Sequence, residues 1–522
     1  MKLQSEKLNS LLKTKPQTPV KVLSKPKQKE KLTKIVNSKQ PKNALLKAMV
    51  SGPDAVTQNG AATYSTSLSA VVDLFGMGKA LRARPTSAKV ALFNKAWAED
   101  KLLALKCLFN IRDVRGGGGE RQSFRDILTD LAQKNGAVVV KNLENVVKMG
   151  RWDDLFVLFN SPIHSQVVDF IFNQLQKDLE AYDKGESVSL LAKWLPSING
   201  SNKEGRDQAY MLANTWGLTP KQYRKILSAL RAHIDVTEVK MCANQWNKIN
   251  YSAVPSKASL TYKDAFREHD GARYTKFLSS VEKGEAKINA GTLFPYELVK
   301  QANGNATVEA QWKALPDYLE GNDRNILVLA DTSASMTWVN NALPYYISIS
   351  LAIYTAQRNK GAFNNYYIAY STEPTLVHLK GKTLAENVSL AKHCYGGSTD
   401  LQKAFASVLS FAVKNKVPAK DMPEQVIIIT DAEFNNPQNG RTNLDEIRSQ
   451  YNRANYPMPQ LVFWNVNSIQ NNVPARADDN GVVLVSGASP TVFLTLLSGK
   501  QYSPIDQMLE TLNGERYKTV VV

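Results

Sequence analysis

The sequence predicts an α-helical, repeat-like region followed by a doubly wound, mostly parallel α/β sheet, behind a disordered basic tail. Three observations carry that reading. From about residue 85 to 300 apolar residues recur at three- and four-residue steps, the spacing of helices with one buried face. After Asn322 the texture changes to short, apolar, β-rich runs separated by helical stretches, the pattern of a sheet covered on both faces. Residues 1–52 contain no aromatic residue at all. The expected organisation is therefore a tail at 1–52, a helical domain at 70–320 and a sheet domain at 321–522, with 53–75 a loop leading into the fold.

The tail is rich in Lys, Gln, Ser and Pro, and its first 50 residues hold 13 Lys against 2 Glu. Such a segment buries too little apolar surface to offset its ordering entropy. It reads either as a solubilising arm or as a contact for a polyanion. The whole chain carries a net charge of +18; the tail accounts for +11, the middle (51–320) for +6 and residues 321–522 for +1. A nucleic-acid partner would thus meet the tail first and the helical region second.

Along the helical region, "HSQVVDFIFNQLQKDLEAY" places Val168, Ile171, Phe172, Leu175 and Leu179 on one stripe. In "LTPKQYRKILSALRAHI", Thr219 is an N-cap with Pro220 at the first helical position. "GRWDDL" reads as a turn with Trp152 packed and Asp153 or Asp154 capping a helix. Trp152, Trp194 and Trp246 suit helix packing or stacking on unpaired bases. "RGGGGER" (115–121) lacks the spacing of a nucleotide P-loop and no strand precedes it. It is read either as a flexible turn or as the centre of a phosphate-contacting cluster of Arg112, Arg115, Arg121 and Arg125.

In the sheet region the strands are expected at 325–330, 366–371, 425–430 and 460–466, and "ALPYYISISLAIYTA" (342–356) is a buried helix, too short for a membrane span. Ligands of such sheets bind beyond the carboxyl ends of the strands. Three chemistry-bearing loops fall there: "DTSAS" from Asp331, "GGSTD" from Gly396 to Asp400 before a helix at 401–415, and "TDAEF" from Thr430. Their hydroxyls and carboxylates are hard oxygen donors suited to Mg²⁺ or Mn²⁺. His393 beside this loop is read as structural.

Catalysis has little support. The five histidines form no HxxxH or HExxH pair, no GxSxG elbow occurs, and Asp431 and Glu433 need not converge as an acid/base pair. Cys107, Cys242 and Cys394 are far apart, against a disulfide framework or thiolate zinc site. With no signal-peptide core and no membrane span, a soluble cytoplasmic binding protein is expected.

DxSxS, a threonine in a glycine-flanked loop and an aspartate after an apolar strand together resemble the metal-ion-dependent adhesion site of von Willebrand factor A domains. The resemblance implies Ser333, Ser335 and Thr399 as hydroxyl ligands, with Asp331 and Asp431 acting directly or through water; an octahedral shell leaves one place for water or an acidic side chain of a protein partner. "NIRDVRGGGGERQSFRDIL", "GRWDDLF", "AKWLPSING", "YRKILSALR" and "VPSKASLTYKDAF" resemble an uncharacterised two-domain family of plants, fungi and phages. The helical array joined to an A-type domain also resembles Ro (TROVE) proteins, ring-shaped binders of small non-coding RNAs. These resemblances cover roughly residues 70–522. They imply an RNA-binding ribonucleoprotein component that holds small or structured RNA on its helical domain. A metal-dependent interaction or assembly scaffold is the alternative, and a Mg²⁺-dependent hydrolase is third.

Overall fold

Part of the lysine-rich amino terminus folds where it meets acid. The structure, a computed structural model, describes residues 23–43, 46, 52–339, 341–392, 396–437, 441–496 and 502–522. Residues 1–22 of the expected tail and His393 lie outside these. Within 1–52, expected to be disordered throughout, Lys25–Ser38 is instead a helix with Pro26 in its first turn. Leu32 and Val36, one turn apart, are fully buried. Lys25 and Lys29 pair with Glu510 and Asp506 of the helix Pro504–Leu512, and Lys31 pairs with Asp100. Composition alone missed this because the apolar cover and the neutralising acids come from distant parts of the chain.

The stretch read as a loop at 53–75 is also structured. Strands β1 (Ala55–Val56) and β2 (Ala62–Thr63) form a short antiparallel hairpin. Isolated bridges join Gly60 to Asn435, Ala62 to Thr442 and Tyr64 to Val473. A helix at Ala70–Met77 follows, capped by the Ser69 side chain and buried at every position from Val71 to Met77. The helices Thr86–Glu99 and Lys101–Arg112 pack beside it, and Arg121–Lys141 packs on those two.

Further along, His164–Asp183 buries Val168, Ile171 and Leu175, while Phe172 stacks on Trp216 at 5.5 Å. Thr219 and Gln222 form a capping box that starts Pro220–His233, as the sequence predicts. The long helix Ser256–Glu282 bends at Asp270. Its Phe266 and Tyr274 form a separate small core with Ile249, Tyr251 and Val254.

The sheet comprises β3 (Ile326–Asp331), β4 (Tyr366–Tyr370), β5 (Thr375–His378), β6 (Gln425–Thr430), β7 (Gln460–Asn465) and β8 (Val482–Ser486). Its order is β5-β4-β3-β6-β7-β8, parallel except for the edge strand β5. Every residue of β3, β6, β7 and β8 is buried, as continuous apolar strands under two helical layers require. The expected buried helix is Leu343–Arg358. Strands β5 and β8 were not singled out in the sequence; β5 is a four-residue edge and β8 a five-residue run between glycines.

The helical and sheet parts share one continuous apolar core. The helix Ala70–Met77 lies against β8, and the chain end returns to the helical half. There Arg516 pairs with Asp113, the Asn110 amide donates to the Tyr517 hydroxyl at 2.7 Å, and the Thr519 hydroxyl donates to Asn145 at 2.6 Å. Among the described residues no helix is long and apolar enough to cross a membrane.

Candidate metal centre

Counted from β3, the strand order is 3-2-1-4-5-6, so it reverses between β3 and β6 and opens a crevice at their carboxyl ends. Asp331 is the last residue of β3, and Asp431 is the first residue past β6. The register that pairs Ala330 with Ile429 sets the two strand ends side by side. Asp331, Ser333, Thr399 and Asp431 are each at most 1% exposed.

Backbone bonds zip the glycine loop onto the first turn. The Gly396 N–H donates to the Thr332 carbonyl at 2.9 Å, and the Ala334 N–H donates to that of Gly397 at 3.1 Å. Gly397 has φ +80°, and a Cβ there would collide with the Thr372 hydroxyl, so both conformation and space demand glycine. Thr399 is held by Asn435, whose side chain accepts its N–H at 3.2 Å and whose N–H donates to its carbonyl at 2.9 Å. The neighbouring Asp400 serves the next element instead, capping the helix Leu401–Lys414.

The Asp331 carboxylate accepts from the Ser333 N–H at 2.9 Å and from the Thr430 hydroxyl at 2.9 Å. The Ser333 and Ser335 hydroxyls lie 3.2 Å apart. Asp431 Oδ1 accepts from the Glu433 N–H at 3.1 Å, whereas its Oδ2 is buried with no hydrogen-bond partner. Burial, and then the charge of Asp431, push the Asp331 carboxyl well above the usual range. Burial raises Asp431 too, partly offset by the Ser335 hydroxyl. The structure therefore brings Asp331, Ser333, Ser335 and Asp431 to one place, with the loop that carries Thr399 bonded to the same first turn, and an orphaned buried acceptor remains among them.

The donor set fits a hard divalent cation: oxygen ligands only, two carboxylates and three hydroxyls. Among the described residues no group of three or more His, Cys, Asp or Glu is placed to hold a metal. A cation at this crevice would need the serine and threonine hydroxyls as well as the two carboxylates.

Glu433 does not join Asp431 as an acid/base pair. Its carboxylate accepts the Gln58 N–H at 2.6 Å and the Asn472 amide at 3.1 Å to each oxygen. Burial raises its pKa to about 7. Sequence reasoning missed this connection to the amino-terminal hairpin, although Asn59-Gly60 is a turn signal of the kind that closes hairpins.

The arginine cluster comes apart. Arg112 is 2% exposed and its Nε donates to Asp154 at 2.7 Å; Arg125 donates to the other oxygen of Asp154 at 2.7 Å and pairs with Asp153. Both are therefore corrected from phosphate contacts to structural partners, because a fully buried Asp154 needs compensating charge. Asp154 also accepts the Arg151 N–H that starts the turn containing Trp152, so its capping role is realised as well. Arg115 and Arg121 are exposed and free of ion pairs among the described residues.

The glycine turn between them joins two helices, as one of the two sequence readings has it, and spends most of its amides on its own protein. The amides of Gly117, Gly118, Gly119 and Glu120 all donate inward, to Asp113, Asn110, Asp113 and Ile111 carbonyls. A Cβ on Gly117 would strike the Asn110 carbonyl, which makes close packing the reason for glycine there. The clearest unpaired cationic face of the helical half lies on Pro220–His233, which contains no acidic residue. Lys221, Arg224 and Lys225 are exposed on the side opposite buried Tyr223, Leu227 and Leu230.

Residues 325–519 match the domain of unknown function DUF7788, and residues 57–159 and 202–324 match the domain of unknown function DUF2828. Uncharacterized protein L728 of Acanthamoeba polyphaga mimivirus is 30% identical over 501 residues, which cover 87% of this chain and 86% of that protein. The crystal structure of the Deinococcus radiodurans RO (RSR) protein overlaps 81% of this chain and 93% of its own, with 13% identity and a TM-score of 0.31. That overlap is too loose to carry an argument about fold or function.

Proposed function

The chain belongs to the family of mimivirus protein L728, and its own DUF2828 region precedes its DUF7788 region; from that premise we propose a non-catalytic, RNA-binding protein with a divalent-cation site. The observation that carries the cation is the buried, unpartnered Asp431 Oδ2 beside Asp331 at the switch point of the sheet. Asp331, Ser333, Ser335, Thr399 and Asp431 would hold Mg²⁺ or Mn²⁺. The ion would supply positive charge to a buried pair of carboxylates and a point of attachment for an acidic group of a partner.

RNA is supported by charge. The net +18 is concentrated outside the nearly neutral sheet half, and Lys221, Arg224 and Lys225 form a one-sided cationic face. Contacts of this kind hold phosphate without reading sequence. Gel-shift and crosslinking of the purified chain with structured and single-stranded RNA test this reading. Crosslinks on 203–287 would support it, and the lack of any salt-sensitive RNA binding would overturn it.

A second reading, a metal-dependent protein-interaction scaffold without specific RNA, is favoured by Trp338. This side chain is 78% exposed one turn after Ser335, at the rim of the cation site. Exposed tryptophan beside a charged centre is the composition of a protein contact. Cation-dependent capture of a protein with no RNA requirement would favour it over the first.

A further inference from the structure

From the bonds around Asn59 we infer that the β1–β2 hairpin is part of the cation site, with Asn59 a positioning residue for Thr399. The inference rests on the cation reading above and adds a chain segment to it.

The hairpin tip reaches the site from more than 300 residues away in sequence. The Asn59 side-chain amide donates to the Glu433 carbonyl at 2.5 Å and to the Thr399 hydroxyl oxygen at 3.4 Å. One amide thereby bridges the loop after β6, which carries Asp431, and the loop that carries Thr399. Neighbouring bonds pin the tip in place. The Thr57 hydroxyl donates to the Phe434 carbonyl at 2.5 Å, and the Gln58 N–H donates to the Glu433 carboxylate at 2.6 Å.

A threonine hydroxyl has one hydrogen and two acceptor positions, and it rotates unless a partner fixes it. An amide donor on one acceptor position leaves the other with a defined direction. That is how outer partners orient the ligands of metal sites. Asn59 does this from the surface: its residue is exposed, and the hairpin keeps its other anchors without it. Cation binding and hairpin closure then stabilise each other, and the coupling is the same read from either end.

The test uses the full chain and Mn²⁺, followed by titration calorimetry. Asn59→Ala should weaken Mn²⁺ binding about tenfold and leave the metal-free melting temperature unchanged. Val56→Thr, on an exposed position of the same hairpin, should leave Mn²⁺ affinity unchanged. In the wild-type chain Mn²⁺ should slow amide hydrogen exchange at Gln58. Unchanged affinity in Asn59→Ala, or an equal loss in Val56→Thr, would overturn the inference while the cation site stood. Should Asn59→Ala fail to fold, wild-type exchange decides, and exchange at the hairpin indifferent to Mn²⁺ would overturn it. A wild-type chain that does not bind Mn²⁺ would overturn the cation reading and this inference together.

Discussion

The Thr430 hydroxyl donates a 2.9 Å hydrogen bond to Asp331 Oδ2, tying the end of β6 to the end of β3. With the Ser333 N–H on Oδ1, both Asp331 oxygens are satisfied. Asp431, the very next residue after Thr430, keeps one buried oxygen with no hydrogen-bond partner among the described residues, although the Ser335 hydroxyl lies near enough to ease its charge. The donors on this pair are neutral, so they solvate charge without cancelling it. A divalent ion would do both, and the asymmetry between the two aspartates makes Asp431 the residue whose loss should tell most.

Mg²⁺ or Mn²⁺ should therefore raise the melting temperature, by about 2.7 kcal/mol of added stability at a hundredfold excess over Kd. Asp431→Asn should abolish that response and raise the stability of the metal-free protein, because one of two mutually repelling buried carboxylates is gone. Both carboxyls are pushed upward by burial, so ion uptake should displace protons and weaken as pH falls. Thermal melts with and without chelator at two pH values measure all three. A protein indifferent to ion and chelator alike would sink the site.

A second pH effect sits away from the site. Lys79 is buried against Phe75, with its ammonium 5.0 Å from the ring, and burial lowers its pKa to about 8. The depressed folded value means the charged form is disfavoured in the fold. The cost is present in full below about pH 8 and is relieved as pH rises toward the unfolded value near 10.5. Lys79→Met should stabilise the protein at pH 7 by about 3 kcal/mol as an upper figure. That gain should shrink at pH 10. Urea unfolding of both proteins at the two pH values checks the sign, and a gain that grew with pH would refute the assignment.

Asp154 compensates two arginines from a fully buried position. Asp154→Ala strands Arg112, which is itself 2% exposed, and should cost about 3–5 kcal/mol. Arg112→Met with Asp154→Asn should recover most of that loss, since breaking a buried pair is dearer than replacing both members. Chemical denaturation of the single and double variants gives the comparison. Equal destabilisation by both would mean that the charge is not the issue.

Residues that act through local pattern were legible in the sequence, and residues that act through distant packing were not. Thr219 and Pro220 start a helix by chemistry contained within four residues. The apolar runs of β3, β6 and β7 likewise carry their burial on their face, and their ends brought Asp331 and Asp431 together because a parallel sheet aligns carboxyl ends. Arg112 failed as a predicted phosphate contact because its partner, Asp154, is 42 residues away and lies in the core. Leu32 and Val36 were invisible inside a lysine-rich segment whose apolar cover is supplied by another part of the chain. Asn59 was missed for the same reason: nothing within the hairpin says what its tip will touch.

The proposed RNA surface gives the last prediction. Arg115 and Arg121 are exposed but flank a turn in which three of the four glycine amides donate to the protein, so this place offers two point charges and little cradle. Pro220–His233 offers three cations within five residues that form no ion pair among the described residues, on a helix with a packed opposite face and no acid of its own. Lys221→Glu, Arg224→Glu and Lys225→Glu together should therefore weaken RNA binding more than Arg115→Glu with Arg121→Glu. If three phosphates are contacted, losing the three contacts should reduce the slope of log affinity against log salt by about 2, at ~0.7 per contact on a single strand. The lysines of residues 1–22 add to the slope in the full chain, so the comparison is made with and without them. Removal should stop at residue 22, because the helix beginning at Lys25 buries Leu32 and Val36 and belongs to the fold. An unchanged slope in the triple variant without residues 1–22 would move the RNA surface off this helix.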